Sequence, residues 1–163
     1  MADDNVLDLC ADLPVVRFAP GDIMIAEGPA SGRLLVLMSG SVEVLRGTTQ
    51  IAEASEPGAI FGEISALLGG PHTATVRAVT DVVARELAGA AAALKRETPL
   101  TWFVARLLAQ RLTDATGYLA DIKRQFADRR DHLGMVDQVL DTLIQRQRPT
   151  VAAGSTLKSD PRL

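Results

Sequence analysis

Phe61-Gly62-Glu63-Ile64-Ser65-Ala66-Leu67-Leu68-Gly69-Gly70-Pro71-His72-Thr73-Ala74-Thr75-Val76-Arg77-Ala78 reads as a strand end, a tight glycine turn, a short helix start, a glycine loop and a second strand. Gly62 lets the backbone come close to a ligand, because no Cβ stands in the way. The amides of Ile64, Ser65 and Ala66 fall at a helix N-terminus, where unpaired N–H groups and the helix dipole favour anions. Glu63 offers a carboxylate able to accept hydrogen bonds from hydroxyl groups, and His72 returns toward the same place after the loop.

Upstream, short apolar segments alternate with turns. Val15 to Phe18 ends at Pro20-Gly21, Ile23 to Ile25 at Glu27-Gly28-Pro29, Leu34 to Met38 at Ser39-Gly40, and Val42 to Arg46 at Gly47. Ile51 to Ala54, Thr73 to Ala78 and Val82 to Leu87 are further strand candidates. Short strands at regular spacing with Gly or Pro turns predict a barrel or sandwich. Aromatic residues make up only 4% of the chain, so its core must come from Val, Ile, Leu and Ala.

After Leu87 the period changes. Ala90 to Lys95 is an alanine-rich helix stopped by Thr98-Pro99, and a long helix then starts with Thr98 as N-cap and Pro99 in its first turn. Ala105, Leu108, Leu112, Ala115, Leu119, Ile122 and Phe126 recur at heptad spacing, which fits an amphipathic helix lying on its own barrel or a dimer seam; the helix's length favours the seam, and its first turns could cover the barrel while the rest pairs. Gly117 interrupts this stretch and costs about 1 kcal/mol relative to alanine, which leaves room for a kink there. Leu133, Val136, Leu140 and Leu143, flanked by Val139 and Ile144, form a second stripe beyond the charged turn Asp128-Arg129-Arg130-Asp131. A helical hairpin follows from the two stripes. The tail from Pro149 to Leu163 is polar and aperiodic, and reads as loosely attached.

The ordered series of glycine-marked turns, followed by the ungapped cassette at Phe61–Ala78, resembles the cyclic-nucleotide-binding domain family from Leu13 to Leu87. Arg17-Phe18-Ala19-Pro20-Gly21-Asp22 is similar to the family's first hairpin, and Glu27-Gly28 with Leu35 to Val44 to its next strands. The resemblance implies an α+β chain: an eight-stranded antiparallel β-roll, or jelly-roll barrel, flanked by N-terminal and long C-terminal helices. The expected divisions are an N-terminal helix over 1–12, the β-roll over 13–87, hinge and dimerisation helices over 88–148 and a flexible tail over 149–163.

The family's site residues carry over by position. Gly62 and Glu63 would hold the ribose, with Glu63 taking the 2′-hydroxyl, and the amides of Ile64 and Ser65 would meet the cyclic phosphate. The family's P-R-x-A loop supplies a phosphate arginine, but this chain has Pro71-His72-Thr73-Ala74. Guanidinium is always charged and presents a planar fork to phosphate. Imidazole is shorter, has one or two donors and is only partly charged at neutral pH. The expectation is a weakened phosphate site. Thr73 stands where cyclic-GMP-selective relatives carry a threonine, so cAMP and cGMP both remain candidates. Thr116 or Tyr118 on the long helix would cap the purine.

Composition narrows the rest. The 163 residues carry a net charge of −3, one cysteine and two histidines, which excludes a disulfide framework and a Cys- or His-rich metal centre, and no resident cofactor is expected. No run nears the ~20 apolar residues of a membrane span. Met1 to Asn5 carries acids rather than a basic leader, which predicts a cytoplasmic protein. The chain after Phe126 is shorter than a winged helix-turn-helix domain and mixes Arg129, Arg130, Arg146 and Arg148 with acids, so DNA is not the expected partner. No nucleophile–histidine or paired-carboxylate spacing suggests an enzyme. Two readings follow: a non-enzymatic cyclic-nucleotide sensor acting through its helices as a homodimer or on an effector protein, or a constitutive dimeric interaction module with a degenerate pocket.

Overall fold

The computed structural model describes residues 5–126 and 130–145. A short helix, α1 (Val6–Leu9), precedes β1 (Val15–Phe18), β2 (Ile23–Ile25), β3 (Leu34–Ser39), β4 (Val42–Arg46), β5 (Thr49–Ala54) and β6 (Ile60–Phe61). Then come α2 (Glu63–Leu68), β7 (Thr75–Ala78), β8 (Val82–Leu87), α3 (Ala90–Arg96), α4 (Thr98–Gln125) and α5 (Arg130–Gln145). The chain divides at Leu108/Ala109 into two compact units, α4 running from the first into the second.

Eight strands form two four-stranded antiparallel sheets, in the orders β1-β8-β3-β6 and β2-β7-β4-β5. This is the expected α+β β-roll. β3 shows why its sequence is apolar without alternation. Leu35 and Leu37 join the core with Met24, Val42, Phe61, Val76 and Val82. Leu34 and Val36, on the opposite face, join a second core with Val6, Cys10, Ile60, Ala90, Leu94, Leu100 and Val104. A strand buried on both faces reads as a continuous apolar run. Burying each such aliphatic side chain contributes ~1.5–3 kcal/mol.

Two local expectations shift. β7 begins at Thr75 rather than Thr73, because His72 is held in an isolated bridge with Gly28 and the chain bends through Thr73 and Ala74 before pairing resumes. Thr98 is the first helical residue of α4 rather than a cap outside it. The helix runs unbroken through Gly117. The turn at Asp128-Arg129 and the tail from Pro149 lie outside the described residues.

Cys10 is fully buried in the α1 cluster, as a core thiol should be. Burial pushes its pKa up, with Arg85 opposing weakly. The folded state therefore holds the thiol proton more tightly than the unfolded chain does. Stability is unaffected below the ordinary thiol range and falls as pH rises through it. Denaturation midpoints should decline above about pH 9, and Cys10→Ala should flatten that decline. Native protein should react with iodoacetamide only as fast as it opens; rapid labelling of folded protein would refute the buried, protonated thiol.

Candidate functional site: the turn-helix-loop between β6 and β7

Gly62 opens the site. It has φ 91°, ψ −3° and caps α2 from outside. A Cβ there would run into the carbonyl oxygen of Arg33 and approach Ile25 Cδ1 at 3.3 Å. Glycine is thus required twice over, by dihedral and by space. The first helical amide bond runs from Ala66 to the Gly62 carbonyl at 3.1 Å, so the amides of Ile64 and Ser65 stand ahead of the helical ladder.

Glu63, Ser65 and His72 are the buried polar residues among those described, at 3%, 6% and 6% exposure. Their burial sets this turn apart from the exposed turns elsewhere. Ser65 uses its hydroxyl on the loop, donating to the Gly70 carbonyl at 2.5 Å. Gly69, at φ 66°, closes α2 with its amide on the Ser65 carbonyl at 2.9 Å. The loop is therefore tied back onto its own helix.

His72 is pinned on both sides. Its amide donates to the Gly28 carbonyl at 2.7 Å and its carbonyl accepts from the Gly28 amide at 3.0 Å. The Ser31 amide donates to Nε2 at 3.1 Å, and the Ser31 hydroxyl lies 2.8 Å from the same nitrogen. A nitrogen that accepts an N–H bond carries no proton, so this geometry corresponds to the neutral ring with its proton on Nδ1. The imidazole is engaged by the β2–β3 loop, a partnership not readable from the cassette.

Other cations near this region have partners. Arg33 forms a fork with Glu86, Nε–Oε1 at 2.7 Å and Nη2–Oε2 at 3.0 Å. Arg77 pairs with Glu43, its register partner on β4, Nε–Oε1 at 2.7 Å. Arg46, exposed at the end of β4, donates Nε to the Thr73 carbonyl at 3.3 Å. Sequence reasoning missed Arg46 and Ser31; neither lies in a recognisable motif, and only the meeting of distant loops brings them to the cassette.

Gly62, Glu63, Ile64, Ser65, His72, Thr73 and Ala74 thus share one continuous feature, with Thr73 exposed and Ala74 half-buried. Thr116 belongs to the second unit, and its hydroxyl donates to its own helix, at Leu112 (2.9 Å) and Thr113 (3.0 Å). Tyr118 is 68% exposed. Among the described residues no group of His, Cys, Asp or Glu could hold a metal, and no helix is long and apolar enough to cross a membrane.

The two-sheet roll thus carries, between β6 and β7, a turn with a buried glutamate that enters a short helix. Residues 15–93 match the family model of the cyclic nucleotide-binding domain. This part of the chain belongs to that family. A CRP-like cAMP-activated global transcriptional regulator of Mycobacterium tuberculosis is 28% identical over 127 residues, 70% of this chain and 54% of that protein. The chain therefore spans about half the length of that relative.

Among solved structures, the catabolite activator protein of Thermus thermophilus shares the fold, with TM-score 0.61, 24% identity, and 90% of this chain and 85% of that one covered. The regulatory subunit of a cAMP-independent protein kinase A from Trypanosoma brucei is 26% identical, with TM-score 0.54, over 66% of this chain and 39% of that one. A variant of that subunit with three substitutions, one of them threonine to arginine, is solved with cAMP bound in its A site.

Proposed function

We propose that this chain is a non-enzymatic cyclic-nucleotide sensor, binding cAMP or cGMP at the Gly62–Ala74 cassette with a weakened phosphate contact at His72. The observation that supports the reading is the geometry of the turn: Gly62 at positive φ, Glu63 buried, and the Ile64 and Ser65 amides ahead of the α2 ladder. Glu63 takes the ribose hydroxyl, those amides take the phosphate, and Thr73 stands at the purine side. A cytoplasmic homodimer, paired through Leu108, Leu112, Ala115, Leu119, Ile122 and Phe126, transmits the signal, either by itself or to an effector protein. Ligand acts by stabilising one arrangement of the helices over another, to the extent of its differential affinity for the two. The named relatives are regulators, which supports the absence of catalysis from this proposal.

Calorimetric titration with cAMP and cGMP tests it. Binding of at least one is expected, and Glu63→Gln is expected to weaken it about tenfold or more, since a hydrogen bond to a charged group is worth ~1.5–3 kcal/mol. Binding unchanged by that substitution would remove Glu63 from the site. A second reading, a constitutive interaction module, is favoured by one observation: His72 Nε2 is already satisfied by Ser31, leaving the usual phosphate cation unreplaced. Lack of binding by either nucleotide selects that reading.

A further inference from the structure

Three arginines of the roll are occupied. Arg33 and Arg77 are held by Glu86 and Glu43, and Arg85 Nη1 donates to the Leu13 carbonyl at 2.7 Å. Arg46 is different. Among the described residues its guanidinium has no carboxylate partner, and its one contact is the Nε–H donated to the Thr73 carbonyl at 3.3 Å. A guanidinium has five N–H donors, of which Nε supplies one, so both Nη groups of Arg46 are left over. Arg17, likewise without a carboxylate partner among the described residues, lies on β1 in the other sheet.

Strand geometry brings this side chain to the cassette. β4 pairs with β7 without a register shift, from Val42↔Ala78 to Leu45↔Thr75. The shift toward β5 skips Ile51 on that strand and leaves β4 regular. Alternate residues of a strand share a face. Glu43 meets Arg77 on one face, while Val42 and Val44 pack on the other against the core of Met24, Leu35, Phe61 and Val76. Arg46 has the parity of Val42 and Val44, and is exposed where that apolar packing ends. An acid does come close: Glu27 Oε2 accepts from the Gly47 amide at 2.8 Å, and the Glu27 amide donates to Thr75 Oγ1 at 3.0 Å. That carboxylate bonds the backbone beside Arg46, not its guanidinium.

We propose that Arg46 supplies, from β4, the cationic contact to the ligand's phosphodiester that position 72 no longer makes. This deepens the proposed function and rests on it. The bond to the Thr73 carbonyl puts the guanidinium one residue along the chain from His72, the place of the lost cassette arginine. His72 does not compete for the role, because its Nε2 accepts from Ser31. The Thr73 carbonyl engages one edge of the planar guanidinium, and the Nη groups are free for the two unesterified oxygens of a cyclic phosphate, which a fork of parallel N–H donors suits. Guanidinium is charged at every physiological pH, so the contact does not depend on protonation as one from imidazole would.

Calorimetric titration of the full chain with cAMP and cGMP, at low and high salt, tests the assignment. Arg46→Gln keeps an N–H donor at the same bond count as Nε but removes the charge. It is expected to weaken whichever nucleotide binds about tenfold at low salt. It should also flatten the fall of affinity with salt, because salt screens exposed charges. Arg46→Lys should lie between, keeping the charge without the fork. Arg17→Gln, on the other sheet, should change neither quantity. Arg46 is exposed, so urea midpoints of its variants should match the natural chain. Unchanged affinity in Arg46→Gln overturns the assignment and leaves the sensor reading standing on Glu63. A loss of the same size at both salt concentrations also overturns it, because the contact is then not with the phosphate charge. If neither nucleotide binds the natural chain, the sensor reading and the role of Arg46 fall together.

Discussion

His72→Arg is expected to tighten cAMP binding by roughly 10- to 100-fold, the equivalent of one charge-assisted contact of ~1.5–3 kcal/mol. An arginine at this position adds a permanent charge and a fork of donors to the loop that follows α2. Arg33 is held by Glu86, Arg77 by Glu43, and Arg46 is directed at the Thr73 carbonyl. The substitution also withdraws the acceptor of the Ser31 amide. A stability loss of about 1 kcal/mol is therefore expected alongside the gain in affinity. The backbone bridge to Gly28 is indifferent to the side chain and should hold the loop in place.

Calorimetry of the natural chain and the variant reads the result directly. Equal affinities would show that position 72 does not face the phosphate. Binding by the variant alone would sink the sensor reading and leave the interaction module.

Gly62→Ala carries the largest expected loss of stability, about 3 kcal/mol or more. A side chain at positive φ costs ~1–2 kcal/mol by itself, and here the added methyl also meets the Arg33 carbonyl, a backbone atom in the turn leading into β3. Backbone cannot rotate away as a flexible side chain can. Gly69→Ala is the control. It has φ 66° but open space around the built Cβ, so only the dihedral cost of about 1 kcal/mol applies. Urea denaturation should separate the two variants by ~2 kcal/mol; similar losses would show that the Arg33 contact relaxes without cost. Because Gly62 sets the α2 N-terminus, its variant should also lose nucleotide binding under conditions where Gly69→Ala keeps it.

The β-strands were legible because their signals are local. Val15–Phe18, Ile23–Ile25, Val42–Arg46 and Val82–Leu87 lie where alternation and the following turn residues place them. The two-residue β6 was visible only as the strand end before Gly62, since Ile60-Phe61 is too short to show a period. β7 was overextended by two residues. Thr73 and Ala74 have strand-compatible side chains, but the bridge between His72 and Gly28 bends the chain there. Gly62, Glu63 and Ser65 could be picked out because a turn, a helix start and an anion-facing amide are all properties of consecutive residues.

Ser31 could not be found in the same way. It is 41 positions from His72, in a loop without a motif of its own, and reaches the imidazole only once the β2–β3 loop is drawn against the cassette. The pairings Arg33–Glu86 and Arg77–Glu43 likewise depend on sheet register. By itself the sequence determined the short strands and the glycine-opened turn, because backbone sterics and hydrophobic period act between neighbours in the chain; the roll and the loss of the cassette arginine were legible only through the family resemblance. Tertiary structure alone decided what surrounds that lost arginine: which cations are already paired, and that the histidine in its place accepts a hydrogen bond from Ser31. Those contacts join loops whose distance is set by sheet closure, and no local pattern records it.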